Sequence, residues 1–239
     1  MRVLGLRLWF VVGALTAVIF LAIFIFFRSL IRGARSFHPH GTICNAQVTA
    51  LDDVVGPRLA GAAQVRLSGS SEDESSPNQT ILGMAMKFVD QDLPLATFES
   101  FLHASEATKN TDVADYLGNQ YASVSPWVVR GLGVTWFRAI PEPDAKVAKT
   151  GTRVERLDAD IAAGRAKLIL EAHVAPNADG ALRCRLAEVR LTERLTDDDP
   201  HFRISMFRTG GGLVPTGFRN GVRAIVYPVS QLARRLRGG

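Results

Sequence analysis

The sequence predicts an α+β protein in which an N-terminal transmembrane helix precedes an antiparallel β-barrel, or a curved sheet, with peripheral helices. Two observations support this prediction. Residues 8–27 form an uncharged apolar run, and most later segments alternate apolar and polar residues as strands do. We therefore expect two parts, a membrane anchor over residues 1–31 and a folded domain over residues 32–239.

The apolar run predicts the membrane helix because its twenty residues, at about 1.5 Å each, span roughly 30 Å, the thickness of the hydrocarbon core. Trp9 lies near one interface, where aromatic rings are favoured. The alternative is a cleaved signal peptide. The run is longer than an ordinary signal core, and Arg28 follows it where a small-residue cleavage site is expected. Arginines flank both ends, so the side of the membrane that carries the domain stays open.

The spacing of apolar residues, and the Gly, Pro and Asp residues between segments, predict the strands and helices of the folded domain. Alternation bounded by Gly, Pro and Asp predicts strands over residues 42–51, 62–68, 84–89, 167–174 and 182–195. Apolar residues at three- and four-residue spacing predict helices over residues 112–120, 153–163 and 222–236. Composition makes residues 69–79 a polar loop and residues 176–180 a turn.

Charge and cysteine content exclude several classes of protein. The 239 residues contain 28 Lys and Arg against 23 Asp and Glu, a net charge of +5. The arginines are scattered rather than clustered, so we expect no nucleic-acid partner. Cys44 and Cys184 are too few for a disulfide framework or a Cys-rich zinc site, and a single bridge between them stays open.

Four short motifs occur in order at the two ends of the domain, and each alone has an ordinary structural explanation. They are Arg-x-x-His-x-x-Gly from Arg35, Arg-x-Ser from Arg66, Gly-x-Ala-x-Lys-Phe from Gly83, and Pro-x-Gly from Pro215 followed by Arg223, Tyr227 and Arg234. Together they resemble the haem-binding catalase family, most closely its shorter catalase-related members. The resemblance covers roughly residues 32–101 and 205–236.

The resemblance implies how haem b would be held. Tyr227 would be the proximal ligand of the iron. Arg223, one helical turn earlier, would keep the phenolate anionic because a nearby cation lowers the pKa of a tyrosine. Arg35, Arg66 and Arg234 match the three arginines that pair with the haem propionates, a task that suits the bidentate guanidinium.

The resemblance also implies a distal site. His38 would take a proton from the bound peroxide and deliver it to the leaving oxygen. Ser68 would hydrogen-bond the other ring nitrogen of this histidine. Thr97 falls where the family places an asparagine, and Phe101 matches an aromatic residue near the distal haem face. The chain is also shorter than an ordinary catalase and is expected to lack barrel segments between residues 138 and 215.

The leading functional hypothesis is therefore a membrane-anchored, catalase-like haem protein. Its substrate would be hydrogen peroxide or an organic or lipid hydroperoxide, in a peroxidase-type or peroxide-rearranging reaction. The second hypothesis is a catalytically degenerate binding or assembly subunit of a membrane complex, and the third is a membrane-tethered β-domain of another purpose. The expected partners are a peroxide, the lipid bilayer, and a membrane-protein complex or further copies of the chain.

Overall fold

The computed structural model describes residues 3–32, 38, 40–69, 81–98, 109–142, 150–176, 181–197 and 202–237. In the described part of the chain, the apolar helical element comes first, ten strands with short helices between them follow, and a long helix comes last.

The apolar N-terminal segment is helical over its whole described length. It comprises α1 (Val3–Thr16), a π-helical stretch (Ala17–Leu21) and α2 (Ala22–Arg32). Within the described ranges, Val3–Arg32 is the one helix long and apolar enough to cross a membrane. The division at residue 31 between anchor and domain stays a prediction, since residues 33–37 lie outside the described part.

Ten strands form one antiparallel sheet, eight of which close into a barrel. The strands are β1 (Gly41–Ala50), β2 (Gly61–Gly69), β3 (Leu82–Lys87), β4 (Asp92–Ala96), β5 (Tyr121–Ala122), β6 (Trp127–Val129), β7 (Gly133–Pro141), β8 (Lys167–His173), β9 (Leu182–Asp197) and β10 (Leu213–Pro215). The order β7-β5-β4-β3-β2-β1-β9-β8 closes because β8 also pairs with β7. The strands β6 and β10 extend the sheet beyond β7.

Apolar side chains at alternate positions of the strands fill the barrel interior. Val65 and Leu67 of β2 lie in one buried cluster with Met84 of β3, Leu95 of β4 and Leu170 of β8. Successive side chains of a strand point to opposite faces, so the residues between these positions lie on the outer face of the barrel. That outer face is where the candidate site forms.

Helices α3 (Gly56–Leu59), α4 (Arg153–Ala162) and α5 (Gly217–Leu236) accompany the barrel. Helix α4 begins at a capping box. Thr152 Oγ1 accepts from the Glu155 backbone N–H at 3.3 Å, and Glu155 Oε2 accepts from the Thr152 backbone N–H at 2.7 Å. Helix α5 begins after Thr216 at Gly217, whose φ of 79° a glycine adopts without strain.

The sequence prediction of an α+β barrel is confirmed, as are all five predicted strands and the helices at residues 153–163 and 222–236. The last of these begins five residues earlier than predicted. The helix predicted at residues 112–120 is wrong. Asn119 Oδ1 accepts from the Asp112 backbone N–H at 2.8 Å, and Asn119 Nδ2 donates to the Asp112 carbonyl at 2.7 Å. These side-chain bonds stabilise turns in place of a helix.

The middle of the chain supplies more of the barrel than the sequence indicated. Strands β4, β5, β6, β7 and β10 were not predicted, and the segment between residues 138 and 215 contributes β8, β9 and part of β7. The barrel therefore closes in spite of the short chain.

The apolar helices pack lengthwise on α5 through glycines. A Cβ at Gly13 would overlap the carbonyl group of Phe218, and one at Gly221 would overlap the Phe10 carbonyl and lie 2.9 Å from the Ala14 nitrogen. At the other end, the Ser29 and Ser230 hydroxyls are hydrogen-bonded at 2.8 Å. Both helices run in the same direction, and close backbone approach sets their contact.

We expect Gly13→Val to separate this helix pair. Overpacking costs about 1–3 kcal/mol, which lowers the melting temperature of a chain of this size by roughly 5 °C. Thermal unfolding in mild detergent measures the shift. The matched control is Gly5→Val in the same helix, because no atom lies within 4 Å of the Cβ position at Gly5. Equal melting temperatures for the two variants would contradict the packing.

Candidate catalytic cavity

A cavity of about 800 Å³ lies between the outer face of β2–β4 and helix α5. This volume falls within the range of about 300–1,000 Å³ usual for ligand and cofactor sites.

Small side chains make the barrel wall of this cavity. Gly83 and Ala85 of β3 and Pro94 and Ala96 of β4 line it. The strand register pairs Gly83 with Ala96 and Ala85 with Pro94, so the four positions form two adjacent rows. Ser68 pairs with Gly83 in the neighbouring strand and continues the first row. Arg66 of β2 pairs with Ala85 and is the one long side chain in these rows. The other side chains are short, so the wall beside Arg66 can accept a flat group at close range.

Helix α5 supplies the opposite wall. Arg219, Arg223 and Tyr227 follow each other at four-residue spacing, which places them on one face of the helix, and Arg234 lies seven residues further on the same side. Asn220, near the helix start, accepts from Arg223 Nη1 at 3.3 Å and donates to the Pro126 carbonyl at 3.3 Å. The start of α5 is thus tied to the barrel, and the tie orients Arg223.

His38 lies against β3 at the barrel wall. A Cβ on Gly83 would be 3.0 Å from the Nδ1 and Cε1 atoms of His38 and 3.0 Å from Ser68 Oγ. Glycine at this position therefore lets the imidazole and the hydroxyl approach the same point. The backbone φ of His38 is +52°, an unusual conformation for a residue with a side chain, and such residues cluster at functional sites.

The surroundings of His38 keep its imidazole neutral. Burial is the main cause, and the positive charges of Arg66 and Arg223 add to it, so that the pKa falls from 6.5 to about 4. Backbone hydrogen bonds at Gly69 and Ser68 oppose the shift. The residue as a whole is partly exposed, but Nδ1 is buried and has no hydrogen-bond partner among the described residues. A neutral imidazole with an available nitrogen can accept a proton.

Positive charge converges on the cavity. Arg66, Arg219, Arg223 and Arg234 line it, and no Asp or Glu is among the described lining residues. Arg66 and Arg234 are 5% and 7% exposed. Burial, followed by the charge of Arg223, lowers the pKa of Arg219. Four guanidinium groups face one cavity, and each can bind a carboxylate through two hydrogen bonds, so the cavity is suited to an anionic ligand.

No family model and no curated protein matches the sequence. The structure is similar to the crystal structure of a fungal catalase, with a TM-score of 0.55 and 16% identity over 86% of this chain and 60% of the fungal one. It is also similar to a bacterial catalase, with a TM-score of 0.52 and 12% identity over 86% of this chain and 58% of the other. The chain has a catalase-like fold. It spans about 60% of the length of these neighbours.

Six of the residues singled out from the sequence meet in the cavity of this catalase-like fold. They are His38, Arg66, Ser68, Arg223, Tyr227 and Arg234. Ser68 Oγ donates to the Gly83 carbonyl at 3.3 Å, whereas the resemblance predicted a hydrogen bond to the imidazole of His38. Arg66 Nη2 donates to the His38 carbonyl at 3.1 Å, so this arginine also fixes the backbone beside the histidine. Arg35 and Phe101 lie outside the described residues.

Thr97 is not among the lining residues of the cavity, although its neighbours Ala96 and Phe98 are. Its hydroxyl accepts from the Leu82 backbone N–H and from the Thr111 hydroxyl, both at 3.0 Å. Thr97 follows the last residue of β4, and these two hydrogen bonds hold its side chain at Leu82 and Thr111. The structure therefore does not bring it to His38.

Three further lining residues of the cavity were not predicted from the sequence. Arg219 repeats the four-residue spacing of Arg223 and Tyr227, and that spacing was a usable signal. Leu21 belongs to the π-helical stretch, and Phe218 contacts Trp9 edge to face with ring centroids 6.5 Å apart. No local pattern could reveal these two, because they line the cavity through the packing of the N-terminal helix on α5.

Proposed function

We propose that the chain is a haem-binding, catalase-like protein that reduces hydrogen peroxide or an organic hydroperoxide while its N-terminal helix attaches it to a membrane. One observation supports this above the others. A tyrosine and a half-buried histidine with a neutral imidazole line the same cavity, together with four arginines and no described carboxylate.

The residues present fit a haem. The rows of small side chains leave room for a flat macrocycle, and the apolar remainder of the wall suits its ring. Tyr227 would ligate the iron, with Arg223 one turn away to favour the phenolate. Arg66 and Arg234, both buried, would pair with the propionates. The assignment of Arg35 to the same task stays a prediction from the resemblance.

Haem would supply the redox-active iron that provides the two electrons needed to cleave the peroxide O–O bond. The chain itself moves the proton. His38, held neutral by burial and by Arg66 and Arg223, accepts the proton of the incoming hydroperoxide and returns it to the departing oxygen, which leaves as water or an alcohol. A reductant or a second peroxide must then restore the two electrons.

A second candidate is a binding or assembly subunit that does not turn over peroxide. One observation favours it. Thr97 is engaged with Leu82 and Thr111, so Ser68 is the one uncharged polar side chain on the described barrel wall of the cavity. The two candidates differ in whether the bound haem reacts with peroxide.

An absorption spectrum of the detergent-purified full chain, taken during titration with haem and then with hydrogen peroxide or cumene hydroperoxide, tests the proposal. We expect a saturable Soret band at one haem per chain, followed by a spectral change on adding either peroxide. A Soret band that does not change with either peroxide would favour the second candidate, a binding or assembly subunit. A chain that shows no saturable band would overturn haem binding.

A further inference from the structure

The apolar N-terminal helix packs along the domain instead of projecting from it. Gly13 meets Phe218 near the start of α5, Ser29 meets Ser230 further along, and Arg237 Nη1 donates to the Leu30 carbonyl at 3.0 Å near the end. The contact therefore extends over almost the whole length of α5. A helix that crossed a bilayer in this arrangement would carry α5 and its cavity arginines to hydrocarbon depth, where charged side chains are costly.

The outward side of this helix pair is an apolar surface. Exposed side chains repeat every three or four residues along the N-terminal helix, for example at Leu8, Val11, Leu15, Ile19, Ile23 and Phe27. The exposed residues Phe218, Leu232 and Leu236 of α5 continue the surface. We call this surface the apolar face. An apolar surface of this extent marks an interaction site on a folded protein.

The charged residues of the two helices that form the apolar face all have one sign. The segment Val3–Arg32 and helix α5 contain no Asp or Glu. Exposed arginines lie at the ends, with Arg7 and Arg32 on the first helix and Arg235 and Arg237 at the end of α5. An apolar surface bordered by arginines is complementary to a bilayer that contains anionic lipids, because the acyl region accepts the apolar side chains and the headgroups accept the guanidinium groups.

We propose that the apolar face docks on a lipid bilayer, with the N-terminal helix lying along the membrane surface and both of its ends on the side of the domain. The cavity then borders the lipid. Phe218 belongs to the apolar face and also lines the cavity, where Leu21 joins it from the π-helical stretch. A membrane-borne hydroperoxide could enter at this border, and this consequence for the substrate rests on the proposed function.

Vesicle flotation measures the docking. The native chain should float with vesicles of phosphatidylcholine and phosphatidylglycerol. Phe20→Lys/Phe24→Lys, at positions 72% and 58% exposed on the apolar face, should weaken partitioning about a hundredfold. The matched control is Val89→Lys/Phe207→Lys, which adds the same charge at positions 64% and 66% exposed outside the helix pair and should float like the native chain.

The orientation has its own test. Leu4→Cys and Ile31→Cys, each placed in a Cys184→Ser background, mark the two ends of the helix, while the remaining Cys44 is buried. An impermeant maleimide added outside the vesicles should label both ends. Protection of one end would overturn the proposal in favour of a helix that crosses the bilayer. A native chain that fails to float and forms a dimer without detergent would overturn it in favour of a second copy on the apolar face.

These readouts do not depend on haem. A chain that floats but binds no haem would support the docking proposal and contradict the proposed function. A chain that binds haem but does not float would support the proposed function and contradict the docking proposal.

Discussion

Replacing Tyr227 by phenylalanine is expected to abolish haem binding while leaving the fold intact. The change removes a single hydroxyl from a side chain that already lines a cavity, so little packing is lost. It also removes the one phenol among the described lining residues. We expect the Soret band to disappear at haem concentrations that saturate the native chain, a larger loss than the about 10–100-fold that follows removal of an outer-shell partner of a metal ligand.

Tyr116→Phe is the matched control for this variant. Tyr116 is fully buried in the barrel core, and the Arg153 guanidinium lies 4.7 Å above its ring, a contact that phenylalanine retains. The control should bind haem like the native chain, and thermal unfolding should show both variants folded. A Tyr227→Phe chain with an unchanged spectrum would transfer the ligand role to another residue.

The fold was predictable where a strand or helix contains a clear polarity pattern within its own residues. Residues 182–195 alternate over a long run, and the structure extends them into β9. Helix α4 shows apolar spacing at Val154, Leu157 and Ile161 together with a capping box. These signals are local, so a single sequence contains them in full.

The missed strands lack such a signal for physical reasons. Strand β4 includes Pro94 and is buried on both faces, so its residues do not alternate in polarity. Strand β5 has two residues, too few for any period. The helix predicted at residues 112–120 was based on helical spacing of the apolar residues. In the structure the side chain of Asn119 hydrogen-bonds the backbone N–H and carbonyl of Asp112, which a helix would have bonded within its own backbone.

The candidate site also contains residues that the sequence predicted and contacts that it could not predict. Arg223, Tyr227 and Arg234 of α5 were predicted because their motif resembles that of the catalase family, and the structure places all three at one cavity. His38 and Gly83 are far apart in the sequence, and no spacing encodes their close approach. Thr97 differs because its hydroxyl is hydrogen-bonded to Leu82 and Thr111, which are distant in the sequence. No local pattern predicts those partners.

His38→Gln is expected to slow the reaction with peroxide by about 10²–10⁴-fold, the usual contribution of a positioned acid–base group. Haem binding should survive, because the ligand and the propionate-type arginines are untouched. Stopped-flow spectra of the haem-loaded chain separate these effects. The control Ser68→Ala removes the neighbouring hydroxyl, whose hydrogen bond runs to the Gly83 carbonyl, and should slow the reaction far less. Equal rates for native and His38→Gln chains would assign proton transfer to another group.

The pH dependence of stability tests the same histidine without haem. The folded chain holds the pKa of His38 at about 4, below its ordinary value of 6.5. As the pH falls from 6.5 towards 4, the unfolded chain therefore binds a proton at this residue that the folded chain does not. Its contribution to the free energy of unfolding should decrease over this window, by no more than about 3 kcal/mol. In His38→Gln that component of the slope should vanish, and denaturant titrations at several pH values measure the difference. Parallel pH profiles for the two chains would mean that the imidazole is not held neutral, and His38 would then lack the available nitrogen that the proposed proton transfer requires.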